Sequence, residues 1–273
     1  MKPDYGGVYL PTSQPNIYQS TPLANAGWYE EGQHGGAFTA LVVGHIEGHV
    51  PTLGHLEVAR VTTELFRVIP IVPLRIETEI VREGKRIQHV AAHIFDPDDA
   101  LLSIVNVQRL RRAQLPIPDS SRPPSNRMRP PGEIEDRVGN VWGVGEAGKT
   151  MFHRHAIEAR EAIGGFGESG PGAVWIRLVV PMIAGSEITP AQRVMAAGDF
   201  CNGVSRALDF KQWVFMNPDV TVHLARYPNG EWIGLDAISG YGDLGRGVAT
   251  GTLWDTDGWL GRSTQTLYLD RIG

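Results

Sequence analysis

The feature that most restricts this chain is a meander of short β-branched runs that occurs twice. From about Glu57 to Leu110, the stretches Val58–Phe66, Leu74–Val81, Ile87–Phe95 and Leu101–Val107 are rich in Val, Ile and Thr, with Glu-Gly or Asp-Pro-Asp-Asp between neighbours. Runs of that length bounded by turn residues predict an antiparallel meander. The pattern returns at Asp219–Ala225, Glu231–Ser239, Gly247–Trp254 and Trp259–Leu269. One shift of 159 positions (255 less 96) pairs Asp96 with Asp255, Asp98 with Asp257, Leu101 with Leu260, Asn106 with Gln265 and Arg67 with Arg226. It also sets Val61-Thr62 on Val220-Thr221. Repetition at a fixed offset is the mark of a duplicated unit.

A helix precedes each meander. Gly36–Ile46 (GAFTALVVGHI) is too uniformly apolar for a surface helix, so a helix over Gly36–Gly48 is expected to be buried on most sides. Thr189-Pro190 reads as an N-cap with proline at the first helical position, opening a helix to about Leu208. Met151–Ala159 and Ala173–Val180 are read as two further strands. Between the halves, PIPDSSRPPSNRMRPPGE is too dense in Pro, Ser and Arg for a packed element. Residues 113–150 are therefore predicted as a linker between an N-terminal unit at 1–112 and a C-terminal unit at 151–273, with 113–132 as an extended surface connector. The expected fold class is α+β, with two antiparallel sheets each wrapped around a buried helix and joined edge to edge about a pseudo-twofold.

Composition narrows the partners. A formal charge of −5 gives no electrostatic reason to expect nucleic acid. Cys201 is the only cysteine, so no intrachain disulfide can form. No stretch approaches the roughly 20 apolar residues of a membrane helix. These features predict a cytoplasmic protein that acts on a small molecule, with no nucleic acid or membrane partner; a homo-oligomer is expected, and neither a metal nor a cofactor.

Several motifs carry a bland reading beside a chemical one. Gly143–Thr150 (GVGEAGKT) satisfies the phosphate-loop pattern, but a charged stretch precedes it and a strand-like one follows, so a Gly-rich linker end is the better reading. His45 with His49, and His89 with His93, have spacings that could hold a metal, yet neither pair has a third ligand in view. Cys201 reads as a small core residue. Asp199 is more informative, because it shares AQRVMAAGDFCNGVS with only one other charge, Arg193, and lies off the apolar stripe of Val194, Ala197, Cys201 and Val204. A carboxylate enclosed there is costly unless it is hydrogen-bonded or functional. Neutralising it is expected to leave stability unchanged or raised. Gln265 lies on a largely apolar face of the last strand with Ser263 and Leu267, and its amide needs partners.

Taken together, these segments carry a resemblance. His34-Gly35-Gly36-Ala37 opening a buried helix, then VARVTTELFRVIP and VREGKRI, resembles the N-terminal half of the acyl-CoA thioesterase II type, a tandem hot-dog family. AAGDFCNG, NPDVTVHLAR and GRGVATGTLWDTDGWLGRSTQ resemble its C-terminal half. The resemblance implies hydrolysis of acyl-CoA by an Asp, Thr and Gln triad that falls on Asp199, Asn217 and Gln265, with Gly35 and Gly36 at the substrate. Asn217 departs from the family, which has a hydroxyl residue at that position. In this reading Asp199 polarises a water that Gln265 and Asn217 hold, backbone N–H groups at a buried helix N-terminus face the oxyanion, and Arg226 and Arg246 are candidates for phosphate contact. Two alternatives stay open: a hot-dog enoyl-CoA hydratase or dehydratase, suggested by Gly198-Asp199 with Asn202, and a degenerate acyl-CoA-binding protein without turnover.

Overall fold

A computed structural model of the chain describes residues 4–27, 31–123, 126, 128–135, 148–166 and 168–272. Strands β1 (Tyr9–Pro11) and β2 (Ile17–Ser20) precede helix α1 (Gly35–His49), and β3 (Leu56–Leu65), β4 (Pro73–Arg82), β5 (Ile87–Phe95) and β6 (Leu101–Arg111) form the first meander. The second half runs β7 (Ile157–Ile163), β8 (Gly172–Leu178), α2 (Pro190–Gly198), α3 (Cys201–Val204) and β9 (Trp213–Met216). Its meander is β10 (Asp219–Leu224), β11 (Ile233–Gly242), β12 (Arg246–Asp255) and β13 (Gly258–Arg271).

One large sheet holds these strands where two were expected. Its order is β1-β2-β4-β5-β6-β3-β10-β13-β12-β11-β8-β7, with β9 also on β13. The order reads the same from either end in terms of the duplicated unit, so the halves meet at β3 and β10. Joining those edges satisfies backbone groups that two separate sheets would leave bare. At the junction Thr62 lies opposite Thr221 and their hydroxyls are 3.2 Å apart. These residues are the ones the 159 shift equates, so the pseudo-twofold passes between them.

The shift does not hold to the last strand. Thr62 pairs with Asn106 whereas Thr221 pairs with Thr264, so β6 and β13 are related by 158 positions (264 less 106). Gln265 therefore corresponds to Val107, not to Asn106. Because a slip of one residue turns a side chain to the opposite face, Asn106 is exposed while Gln265 is buried.

The helices pack against each other and against strands of the sheet, α1 on β6 and α2 on β8, β10, β11 and β12. They run antiparallel. Gly36 lies against Ala196, the Gln192 amide donates to the Ala40 carbonyl at 3.2 Å, and Thr189 donates to Glu47. Phe38, Leu41 and Ile46 of α1 are fully enclosed, as the uniform apolarity of that segment requires. Among the described residues no helix is long and apolar enough to cross a membrane.

Three segments differ from expectation. The helix predicted to reach Leu208 ends at Gly198, Asp199 and Phe200 turn out of it, and only Cys201–Val204 resume helical form. Gly198 favours the break through its low helix propensity. Phe152–Ala156, expected to be strand, forms a π-helical turn before β7. The linker is more than an extended connector. Met128 and Ile134 are buried with Trp175 and Trp254, and the Trp175 indole donates to the Arg129 carbonyl at 2.8 Å. Alternation along β8 explains this, since Val174 and Ile176 enter the main core while Trp175 faces the other side, which the linker covers. Residues 143–147 of the phosphate-loop pattern lie outside the described residues.

Candidate active site

Asp199 leaves the end of α2 and reaches the N-terminus of α1. Its Oδ2 accepts the Gly36 N–H at 2.7 Å, and its Oδ1 accepts the side-chain amides of Asn217 and Gln265, each at 2.9 Å. His34, the N-cap of α1, places Nδ1 3.1 Å from Oδ2. The partial positive charge at the start of a 15-residue helix favours an anion there.

The two glycines make the approach possible. A Cβ at Gly35 would lie 2.9 Å from Asp199 Oδ2, and one at Gly36 would lie 2.6 Å from the Ala196 carbonyl oxygen. Any larger residue at either position forces the two helices or the carboxylate apart. The Gly36 N–H is spent on Asp199, which leaves Gly35, at the cavity wall, as the glycine nearer a ligand.

The predicted trio converges, although its amides do different work from that expected. Asn217 spends its two amide hydrogens on Asp199 and on the Asp219 carbonyl at 3.2 Å. Gln265 spends both on Asp199, carboxylate and carbonyl, while its own oxygen accepts the Asn202 N–H at 3.0 Å. These amides position the carboxylate and have no N–H left to hold a water. The same donors argue against the expectation that Asp199→Asn relieves strain. Donors face both carboxylate oxygens, so an asparagine amide would set N–H against N–H in either orientation.

The carboxylate and His34 border a cavity of about 690 Å³. Aromatic and aliphatic side chains, among them Phe166, Phe210, Trp213 and Phe215, form much of its wall. Phe66, Val68, Met216 and Tyr268 line it too and are exposed, so it opens to solvent through an apolar rim. Arg67 and Arg206 also border it. Arg226 and Arg246 do not. Arg226 is paired with the buried Asp255 through two contacts of 2.6 Å, and Arg246 lies exposed where β12 begins.

The remaining candidates are committed elsewhere. Burial pushes the Cys201 thiol up to about 12, and its hydrogen is directed at the Gly198 carbonyl. His45 Nδ1 meets the Tyr18 hydroxyl at 2.9 Å, and His49 Nδ1 lies 3.0 Å from the His45 carbonyl. Among the described residues no three metal-ligating side chains converge. His34, Arg67 and Arg206 were not singled out from the sequence as site residues, and Asn202 was named only for the hydratase alternative. Only a histidine directly before Gly-Gly, at a cap position where Ser, Thr, Asp or Asn is usual, marked His34 in advance.

Known families and structures agree on the fold. The family description acyl-CoA thioesterase N-terminal domain fits residues 25–109, and acyl-CoA thioesterase C-terminal domain fits residues 125–269. No curated protein matches the chain in sequence. A proposed thioesterase from Novosphingobium aromaticivorans superposes with TM-score 0.72 at 18% identity, covering 96% of this chain and 98% of that one. A hot-dog protein of unknown function from Alicyclobacillus acidocaldarius gives 0.70 at 16% identity, covering 96% of each chain. An acyl-CoA thioesterase II from Mycobacterium marinum gives 0.65 at 14% identity, again over 96% of each.

Proposed function

The chain belongs to the acyl-CoA thioesterase family, and on that premise we propose that it hydrolyses acyl-CoA thioesters to a free acid and coenzyme A at the Asp199 site. One observation carries the reading: a carboxylate seated on a helix N-terminus and held by two side-chain amides at the wall of a largely apolar cavity. Apolar walls suit an acyl chain, and few polar groups are then needed to fix the reacting carbonyl. Arg67 and Arg206 suit the phosphates of coenzyme A. The Gly35 end of α1 suits the oxygen on which negative charge develops.

Asp199, Asn217 and Gln265 act as one unit in this scheme. The two amides fix the carboxylate, and the carboxylate organises the proton transfer that activates water. The test is release of free thiol from a panel of acyl-CoA thioesters of graded chain length. Saturable release with at least one member is expected. Hydration of an enoyl-CoA without thiol release would favour the hydratase alternative, and saturable binding without either reaction would favour an acyl-CoA-binding protein.

A further inference from the structure

Asp199 has little room for a water. Oδ1 already accepts two amide hydrogens, while Oδ2 accepts the Gly36 N–H and faces His34 Nδ1. A carboxylate offers about four lone-pair directions; three are taken by N–H donors and the fourth faces His34 Nδ1. A water placed to attack a thioester must therefore give its proton to another group.

His34 is that group by position. Its residue is only 8% exposed, and it borders the cavity. The imidazole packs against both Phe152 and Phe200, with ring centroids 5.1 and 4.4 Å away and tilts of 42° and 40°, which restricts the ring. Its tautomer follows from the hydrogen-bond network. The Gly36 N–H is 2.7 Å from Oδ2 and 3.1 Å from Nδ1, so it serves chiefly the carboxylate. With Nδ1 only 3.1 Å from Oδ2, two bare lone pairs would repel, and a hydrogen belongs on Nδ1. That leaves Nε2 with its lone pair, and no protein group among the described residues hydrogen-bonds to it.

We infer that His34 Nε2 is the base that contacts the attacking water, with Asp199 as the carboxylate behind it. This inference rests on the thioesterase reading and changes which atom carries the proton. A water O–H bond breaks as its proton passes to Nε2, and the water oxygen forms a bond to the thioester carbonyl carbon. The carbonyl electron pair moves to oxygen. On collapse that pair returns, the C–S bond breaks with its electrons on sulfur, and the proton on Nε2 passes to the thiolate. Asp199 remains an anion throughout and stabilises the imidazolium, the logic of a histidine backed by an aspartate. The pair is composite, since His34 comes from the first half of the chain and Asp199 from the second.

The test combines His34→Asn with nitrogen-15 spectroscopy of the wild-type imidazole. Asparagine keeps a donor near the Nδ1 position and is a favoured cap residue, so the fold should stand while the base is lost. With wild-type protein active on an acyl-CoA, His34→Asn should lower kcat by roughly 10²–10⁴-fold with little change in KM. Added imidazole should restore part of the rate in His34→Ala. Long-range proton–nitrogen spectra should show the neutral ring protonated at Nδ1. Wild-type kcat in His34→Asn overturns the inference and leaves the thioesterase reading intact. A ring protonated at Nε2 overturns it whatever the activity, and a wild type inert toward every thioester removes both.

Discussion

The two helices begin in the same fold position and meet opposite fates. At α1 the cap is His34, two glycines follow, and the partner helix presents Asp199 across a cavity wall. At α2 the cap is Thr189 in a full capping box with Gln192, and the partner helix presents Gly44. The Gln192 side chain fills the space there, so close that a Cβ at Gly44 would lie 2.1 Å from its amide nitrogen. Tyr227 closes that end by donating to Glu47 at 2.8 Å and accepting the Val58 N–H at 2.9 Å. The side chains of Thr189, Gln192 and Tyr227 at the second end are thereby matched inside the protein, whereas the first keeps a histidine nitrogen and a cavity for a ligand. A helix N-terminus is a binding site only where the fold leaves it something to bind.

The largest expected effect comes from removing the charge at the open end. Asp199→Asn should cut thioester turnover by roughly 10²–10⁴-fold. It should also lower stability by about 1–3 kcal/mol, because a hydrogen-bond acceptor is replaced by a mismatched donor. Thiol-release kinetics and urea denaturation read the two effects, and a variant more stable than wild type would show that the donors do not serve the carboxylate. The glycines sharpen the contrast next. Gly36→Ala meets the rigid Ala196 carbonyl and should cost about 1–3 kcal/mol together with most activity. Gly44→Ala must displace the Gln192 amide from the Ala40 carbonyl and the Thr189 N–H, so it should also cost about 1–3 kcal/mol but with turnover retained. Equal losses of activity in both variants would erase the distinction between the ends.

Smaller effects test the closed end. Tyr227→Phe should cost about 0.5–1.5 kcal/mol in chemical denaturation and leave turnover unchanged. A fall in kcat would mean that the far end feeds the site. His45 gives a pH signature. Burial, and then the neighbouring His49, push it down to about 4 from its ordinary 6.5. The unfolded chain takes up that proton first, so the stabilisation is complete above about 6.5 and is lost as pH falls towards 4. His45→Gln should therefore show a shallower decline of melting temperature across that window. Parallel declines would assign the acid sensitivity to other groups.

Much of this comparison was legible in the sequence. The uniform apolarity of GAFTALVVGHI predicted an enclosed helix, the 159 shift predicted a duplicated unit, and the cost of bare strand edges predicted that its halves join edge to edge. Asp199 stood out as a carboxylate in an otherwise nearly uncharged segment, and Asn217 and Gln265 do meet it. Strand alternation reports which face a residue occupies, but it carries no information on register between strands far apart in sequence. The ladders joining β5 to β6 and β12 to β13 share the same irregularity, but the turn between Phe95 and its partner Leu101 is one residue longer than that between Trp254 and Trp259, and this is where the equivalence of Asn106 and Gln265 was lost. His34 was hidden for a different reason. Its chemistry depends on a residue 165 positions away (199 less 34), and no local pattern encodes that distance.

The β3–β10 junction bears on how this site responds to concentration. His34 and Gly36 belong to the first half, while Asp199 and Gln265 belong to the second. Were the halves separate chains, the site would exist only in the associated fraction, and activity per molecule would fall on dilution by mass action. A covalent connection makes that association intramolecular, with an effective concentration set by the connecting segment. The composite site is then assembled in every folded molecule at any dilution, and because one chain supplies both copies, the end closed by Gln192 and Tyr227 can serve cohesion alone.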